Sequence, residues 1–301
     1  MTNDKGILLE SGTNELEVVE FGIGSNRFGI NVIKVKEILV PTPITNVPHS
    51  HPSVEGIIEI RGEVVPVIDV AHLLGYDPSE QPKLDKFILA EFNQLKVVFH
   101  VHTVTQIHRI SWGDIEKPDK MYQGLDSYIT GVIKIEEEMM LLLDYEKMIA
   151  LINPKSSIDK ESIQVLGNRE RSNKHIMLAE DSELLRTMLK ETLQEAGYSH
   201  LTLFEDGKDA IEYLENLKNQ NQPIEEQVQL VITDIEMPQM DGHHFTKRLK
   251  EDSSLSVLPV IIFSSLITDD LRHKGEIVGA NAQISKPEIV SLVETIDRLV
   301  L

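Results

Sequence analysis

The spacing of hydrophobic residues along this chain changes once, near its middle, and that change limits the folds that the chain can adopt. In the first half, apolar residues recur mostly at every second position, as in Val19, Phe21 and Ile23, which is typical of half-buried strands. In the second half, short apolar strands alternate with helical patterns. For a chain of 301 residues this predicts two domains, because single hydrophobic cores usually stop growing near that size.

Turn signals divide the first half into many short strands. A turn is predicted at 24–26, and hairpins are predicted around 61–63, 93–94 and 136–138. Short strands with regularly spaced turns indicate an all-β barrel or sandwich. The stretch 145–152 then reads as a short closing helix.

The second half reads as a parallel sheet with helices between its strands. Strands are predicted at 175–179, 201–204, 230–233, 260–263 and 282–285, and helices at 184–193, 208–219, 243–250, 268–278 and 288–301. Strict alternation of this kind predicts a doubly wound α/β fold, in which the functional site lies at the carboxyl ends of the strands.

A run of proline, serine and charged residues of both signs separates the two hydrophobic patterns. It predicts a linker at 154–173 between a first domain at 14–153 and a second at 174–301.

Charge and composition exclude several classes of protein. The formal net charge is −20 and acids exceed bases in both halves, so neither half has the basic stripe that nucleic-acid binding requires. No apolar run reaches the roughly 18–20 residues that span a bilayer, and no secretory signal begins the chain. The sequence has no cysteine, which fits a reducing compartment. These features predict an intracellular protein that neither inserts into membranes nor binds nucleic acid.

Charged and hydroxyl side chains stand where the predicted parallel strands end. Glu180 and Asp181 follow the first strand, Asp234 the third, Ser264 the fourth and Lys286 the fifth. Clustered carboxylates repel one another unless a cation compensates them, and a donor set made only of oxygen favours Mg²⁺. Each acid alone could simply cap a helix, but polar residues at so many strand ends indicate a site.

The motifs at these strand ends resemble the response-regulator receiver domain. They are AEDS at 179–182, TDIEMPQMDG at 233–242, FSS at 263–265 and SKP at 285–287, within a match over 174–301. The resemblance implies that Asp234 is the phosphoacceptor, that Ser264 and Lys286 bind the phosphoryl group, and that the Lys286–Pro287 bond is cis. It also implies that Mg²⁺ is held by Glu180, Asp181, Asp234 and the backbone carbonyl of Glu236.

Two residues depart from the receiver pattern. Glu180 stands where aspartate is commoner, and Gln283 stands three residues before Lys286, where the family often has an aromatic switch residue. The usual inward swing of an aromatic ring therefore cannot operate here. Haloacid-dehalogenase-like phosphatases also use an aspartate nucleophile, but they need a second aspartate two residues later, where this chain has Glu236.

Two segments of the first half resemble the CheW coupling family. They are KVKEIL at 34–39 and VPHSHPSVEGIIEIRGEVVPVIDV at 47–70, within a match over 16–152. The resemblance implies two interleaved SH3-like barrels that bind a chemoreceptor tip and the histidine kinase CheA. Val35 and Glu37 match positions associated with partner contact, and Arg61 at a hairpin corner suits interface ion pairing. The alternatives are a solvated turn arginine for Arg61, and an ordinary strand residue and an exposed acid for Val35 and Glu37. Ile58, Val65 and Val67 are expected in the core.

The histidines leave a metal alternative open. His49 with His51, and His100 with His102, have the spacing of residues on one face of a strand, so two such pairs could form a zinc site. A surface loop and a polar strand face are the simpler interpretations. The pair at 243–244, at the start of a helix, is interpreted as surface residues.

Together the two resemblances identify the chain as similar to the CheV family. They imply a cytoplasmic adaptor at membrane chemoreceptor arrays that couples receptors to CheA and is modulated by Mg²⁺-dependent phosphorylation of Asp234. Such a phosphoacceptor is not an enzyme, with autodephosphorylation the one reaction left open. Two alternatives stay open as well: a phosphate sink that drains the kinase, and a pure scaffold with a vestigial receiver.

Overall fold

The computed structural model describes residues 14–92, 95–118, 128–152, 165–167, 169–220 and 222–300. The chain forms two compact units, one at Leu16–Pro154 and one that includes Lys155–Leu301. The predicted turn at 93–94 and most of the predicted linker lie outside the described residues, so the exact domain bounds stay a prediction. Within the described ranges, no helix is long and apolar enough to cross a bilayer.

The N-terminal unit is built almost entirely of strands, as predicted. They are β1 (Glu15–Ile23), β2 (Asn26–Asn31), β3 (Val35–Leu39), β4 (Val54–Ile60), β5 (Glu63–Asp69), β6 (Lys86–Phe92), β7 (Leu95–Val101), β8 (Thr103–Ser111), β9 (Ile115–Glu116), β10 (Ile129–Ile135) and β11 (Glu138–Leu143), with helices α1 (Val70–Leu74) and α2 (Tyr145–Ile152). One sheet has the order β8-β1-β2-β11-β10-β9 and the other the order β3-β6-β7-β5-β4. The chain leaves the first sheet after β2, builds the whole second sheet and returns at β8, so the two sheets are interleaved.

Three apolar clusters form the core of this unit. One lies within the six-stranded sheet around Trp112, and a second lies within the five-stranded sheet and contains Ile58, Val65 and Val67, as expected. The third joins both sheets and takes in Tyr145 of α2. The hydroxyl of Tyr145 donates to the carbonyl of Gly29 at 2.9 Å, which satisfies the polar end of a buried ring.

The β4–β5 hairpin places one candidate residue at an exposed corner. Arg61 and Gly62 form its tight turn, with φ values of 53° and 86°. Positive φ at both turn residues matches the twist of the flanking strands, although it is uncommon for a residue other than glycine. The turn therefore holds Arg61 outside the sheet.

Three of the four histidines proposed as a zinc alternative, namely His51, His100 and His102, are hydrogen-bonded to separate partners. His51 Nδ1 accepts from Ser53 N at 3.2 Å, and His102 Nδ1 accepts from Gly24 N at 3.0 Å. In the part of the chain that the structure describes, no close group of three His, Asp or Glu ligand atoms includes a histidine. The described residues thus favour the simpler interpretation of these side chains.

The contacts of His100 predict that the stability of the N-terminal unit depends on pH. Its Nδ1 lies 2.7 Å from Glu55 Oε1 and its Nε2 lies 3.2 Å from Asp85 Oδ2. Burial alone would lower the pKa of His100, but the hydrogen bonds and charges of Glu55 and Asp85 outweigh burial and raise it. Because the pKa in the folded state exceeds the unfolded value of about 6.5, the stabilisation is complete below that pH and is lost as pH rises through the folded pKa.

We therefore expect His100→Gln to lower the unfolding temperature of the N-terminal unit more near pH 6 than near pH 9. Thermal unfolding of the full chain across this range measures the difference. His102→Gln is the matched control, because that ring accepts from an amide and does not face a carboxylate pair. An equal loss for His100→Gln at every pH would contradict a contribution from the charged ring.

The C-terminal unit has the predicted parallel sheet. Its elements are β12 (Ser172–Ala179), α3 (Glu183–Glu195), β13 (Tyr198–Phe204), α4 (Gly207–Lys218), α5 (Ile224–Gln227), β14 (Leu230–Thr233), α6 (Gly242–Glu251), β15 (Val260–Ser264), α7 (Asp269–Ile277), β16 (Ala282–Ser285) and α8 (Ile289–Val300). The sheet order is β13-β12-β14-β15-β16 with every pairing parallel. Among these elements, the short α5 is the one that the sequence pattern did not predict.

Alternate residues of β12, an interior strand of this sheet, face two cores. Ile176 and Leu178 of β12 pack with α3 and α8, while Met177 and Ala179 pack with α4 and α6. Side chains alternate across a strand, so an apolar run buried on both faces is what a doubly wound sheet requires. This confirms the predicted fold class.

His243 corrects one prediction, because it is buried and not on the surface. Its side chain is only 1% exposed, and its Nε2 lies 3.3 Å from the carbonyl oxygen of Leu271 in α7. Asp241 caps α6 by accepting from the amides of His243 and His244, so His243 lies in the first turn of that helix. Burial lowers the pKa of His243 to about 4, so the ring is neutral near pH 7.

Candidate functional site

Four parallel strands bring the predicted residues of the second domain to one edge of the sheet. Glu180 and Asp181 follow β12, Asp234 follows β14, Ser264 ends β15 and Lys286 follows β16. These strands are neighbours in the order β12-β14-β15-β16, so their carboxyl ends lie side by side.

A buried ammonium bridges two of the carboxylates. Lys286 Nζ donates to Asp234 Oδ2 at 2.7 Å and lies 2.8 Å from Glu180 Oε2. The exposed fractions of these residues are 3%, 3% and 1%, in the order Lys286, Asp234 and Glu180. One positive charge shared by two buried carboxylates leaves a negative excess, which favours binding of a further cation.

The backbone fixes Asp234 from both sides. Its amide donates to Ala179 O at 2.9 Å, and its Oδ1 accepts from Ile235 N at 2.5 Å. The loop that follows returns at Gly242, whose amide donates to Ile235 O at 2.9 Å. A Cβ on Gly242 would lie 1.8 Å from the carbonyl oxygen of Asp234, so only glycine permits this approach.

Ser264 links the fourth strand to the fifth. Its side chain is fully buried, its Oγ accepts from Leu266 N at 3.2 Å, and its carbonyl accepts from Lys286 N at 3.1 Å. The Lys286–Pro287 peptide bond is cis, as the receiver resemblance implied.

Gln283, at the usual position of the aromatic switch, is fixed to a helix. Its Nε2 donates to the carbonyl of Arg272 in α7 at 2.6 Å. Its carboxamide also covers Gly275, where a Cβ would lie 2.3 Å from Gln283 Oε1. At the position where receivers often have a mobile aromatic ring, this chain therefore has an amide that is held against α7.

Sequence reasoning missed one cation beside this edge. Arg186 in α3 donates to the backbone carbonyls of Glu180 and Asp181. The available signal was its place in the first turn of the helix, where the helix dipole disfavours positive charge unless another partner compensates.

In the N-terminal unit, the structure brings two of the three predicted partner-binding residues together. Arg61 Nη2 donates to Glu37 Oε2 at 2.6 Å, with side-chain exposures of 80% and 35%. Val35 is half-buried and packs against the cluster that joins the two sheets, which is the ordinary role of a strand residue. The accessible feature is therefore the Arg61–Glu37 pair.

Comparison with known proteins matches each half of the chain to a known domain family. Residues 17–153 match the CheW-like domain, and residues 176–297 match the response regulator receiver domain. The chain is 30% identical over 303 residues to chemotaxis protein CheV3 of Helicobacter pylori, with 95% of each chain covered. It is 27% identical to CheV2 of the same organism, with the same coverage. The solved scaffolding protein TtCheW from Thermoanaerobacter tengcongensis is 25% identical over 43% of this chain and 88% of that one, with a TM-score of 0.41.

The fold and these matches define a signalling protein in which a CheW-like domain precedes a receiver domain. The chain belongs to the CheV family of chemotaxis proteins. It is a chemotaxis coupling adaptor that carries a receiver, and both of its matched domains are signalling domains.

Proposed function

We propose that this adaptor couples chemoreceptors to the histidine kinase CheA and that Mg²⁺-dependent phosphorylation of Asp234 modulates the coupling. The protein would work in the cytoplasm at membrane receptor arrays. One observation carries the phosphorylation half of the proposal: Lys286 holds Asp234 at 2.7 Å beside the acidic pair that begins at Glu180. This arrangement offers a nucleophilic carboxylate, a compensating cation and a place for a metal.

The donor set at this edge fits Mg²⁺. The carboxylates of Glu180, Asp181 and Asp234 and the backbone carbonyl of Glu236 are all oxygen ligands, which a hard cation prefers. The buried negative excess around Lys286 supports the same assignment. When bound, Mg²⁺ would neutralise charge on the phosphoryl oxygens.

The transfer itself needs little from the protein beyond position and charge. A carboxylate oxygen of Asp234 attacks the phosphorus of a phosphohistidine, the new P–O bond forms, and the P–N bond breaks with its electron pair left on the imidazole. Lys286 Nζ, which lies 2.7 Å from Oδ2, pairs with the incoming negative charge. The hydroxyl of Ser264 accepts from Leu266 N and so keeps its proton to donate to a phosphoryl oxygen.

The test is phosphoryl transfer from radiolabelled, phosphorylated CheA to the full chain, with and without Mg²⁺. We expect label on the wild type only when Mg²⁺ is present, and none on Asp234→Asn. A short-lived label that drains the kinase would favour the phosphate sink. Absence of transfer, with kinase binding intact, would favour a scaffold with a vestigial receiver.

The coupling half of the proposal assigns partner contact to Arg61 and its neighbour Glu37. Because the Arg61 side chain is exposed and its ion pair lies at the surface, Arg61→Glu is expected to spare folding and to weaken binding to CheA or a receptor by about tenfold, roughly 1.4 kcal/mol. Titration of the purified partners measures this. Arg248→Glu, another exposed arginine paired to a glutamate, is the control. Unchanged affinity for Arg61→Glu would remove Arg61 from the interface.

A further inference from the structure

We infer that Arg186 is a positioning residue for the metal, because it fixes the backbone from which the acidic pair projects; this rests on the proposed phosphoacceptor function. Its Nη1 donates to the carbonyl of Glu180 at 2.7 Å and to that of Asp181 at 3.1 Å. The side chain is only 14% exposed, so these bonds are largely shielded from water. A guanidinium suits this role because its donors are held in a rigid plane.

The residue Glu180 is held by several contacts, and Arg186 supplies one of them. Glu180 N donates to Phe204 O at 3.1 Å, and the Glu180 carbonyl accepts from Arg186. The carboxylate contacts Lys286 Nζ at 2.8 Å and accepts from Ser182 N at 3.3 Å. With the amide and carbonyl both fixed, the direction of the side chain is set before a metal arrives. The same guanidinium nitrogen also holds the next carbonyl, that of Asp181, so one side chain orients both members of the acidic pair.

Arg186 also connects the end of β12, which leads to the acidic pair, with the end of the neighbouring strand β13. Its Nη2 lies 3.6 Å from Glu205 Oε1, and Glu205 follows β13, the strand that pairs with β12. The side chain thus spans from the first turn of α3 to the ends of β12 and β13. It acts on the proposed Mg²⁺ ligands through their backbone carbonyls.

Removal of Arg186 has two opposite effects on Mg²⁺ affinity, and their balance distinguishes a positioning role from a purely electrostatic one. The positive charge of Arg186 repels a cation, so its removal alone would tighten Mg²⁺ binding. Loss of its two carbonyl bonds frees the ligand backbone, which weakens binding. Groups that orient metal ligands in this way commonly contribute about 10–100-fold to metal affinity, so we expect the second effect to prevail.

The experiment is calorimetric titration of Mg²⁺ into the full-length wild type and into Arg186→Ala, Arg186→Lys and Arg248→Ala. We expect roughly tenfold weaker Mg²⁺ binding for Arg186→Ala and a smaller loss for Arg186→Lys, which keeps the charge but not the planar fork. Arg248→Ala, which removes an arginine on α6 that pairs with Glu215, should bind as the wild type does. At saturating Mg²⁺, phosphoryl transfer to Arg186→Ala should recover most of the wild-type rate.

Unchanged or tighter Mg²⁺ binding by Arg186→Ala would overturn the inference, since a merely structural arginine alters stability without weakening the metal site. If Arg186→Ala does not fold, the affinity of Arg186→Lys decides the matter in the same way. A wild type that binds Mg²⁺ but accepts no phosphoryl group would contradict the proposed function, and the Mg²⁺ affinities would still decide the role of Arg186. A wild type that binds no Mg²⁺ would overturn both.

Discussion

Gly242→Ala is expected to disrupt the phosphoacceptor loop and to abolish phosphorylation of Asp234. The added Cβ would lie 1.8 Å from the carbonyl oxygen of Asp234 and 2.8 Å from its carbonyl carbon. Both atoms are backbone, so no side-chain rotation relieves the clash. In a helix, alanine is otherwise better than glycine by about 1 kcal/mol. Overpacking costs roughly 1–3 kcal/mol or more, so urea unfolding of the receiver domain should show a net loss.

The control for this substitution is Gly75→Ala in the other domain. Gly75 has a φ of +76°, and a Cβ added there would meet no atom within 4 Å, so alanine introduces backbone strain but no clash. Its cost should be about 1–2 kcal/mol, confined to the N-terminal unit, with phosphoryl transfer unchanged. Wild-type transfer by Gly242→Ala would show that the loop can move away from Asp234 without loss of its chemistry.

The site edge was predictable because topology alone determines it. Once alternating strands and helices indicate a parallel sheet, residues that follow neighbouring strands must share an edge, and Asp234, Glu180 and Lys286 do so. Topology does not predict that the Lys286 ammonium contacts both Asp234 and Glu180, because that depends on the conformations of the three side chains. Arg186 was missed because its partners are backbone carbonyls, which every residue possesses. His243 was misplaced because its burial depends on where α7 packs.

In the N-terminal half, local patterns predicted strands and turns but not their long-range pairing. The hairpin at Arg61 follows from turn residues between apolar strands, whereas the parallel pairing of β2 with β11 joins segments far apart in sequence. For the same reason, nothing local indicated that Glu37 would meet Arg61. The periodicity of a sequence indicates which face of a strand is buried. Which strand or side chain it contacts depends on the tertiary fold.

Lys286→Met is expected to destabilise the receiver domain, whereas Asp234→Asn is not. Both residues are buried and lie 2.7 Å apart, with Glu180 Oε2 at 2.8 Å on the other side of the ammonium. Without Lys286, two buried carboxylates would face each other with no cation between them, and breaking a buried ion pair in this way costs about 3–5 kcal/mol. Asp234→Asn instead leaves one carboxylate with one ammonium, so its stability should stay within about 1 kcal/mol of the wild type or rise.

Urea unfolding of the two variants, with and without Mg²⁺, distinguishes shared-charge compensation from ordinary packing. Mg²⁺ should restore part of the stability of Lys286→Met, because the metal then supplies the positive charge that Glu180 and Asp234 have lost. It should stabilise Asp234→Asn less than the wild type, since that variant has lost a carboxylate ligand. Equal losses in both variants, insensitive to Mg²⁺, would mean that the contacts of Lys286 stabilise the domain by packing alone. The unequal effects expected for the two variants arise because one cation is shared by two acids, which also leaves the site able to accept a metal.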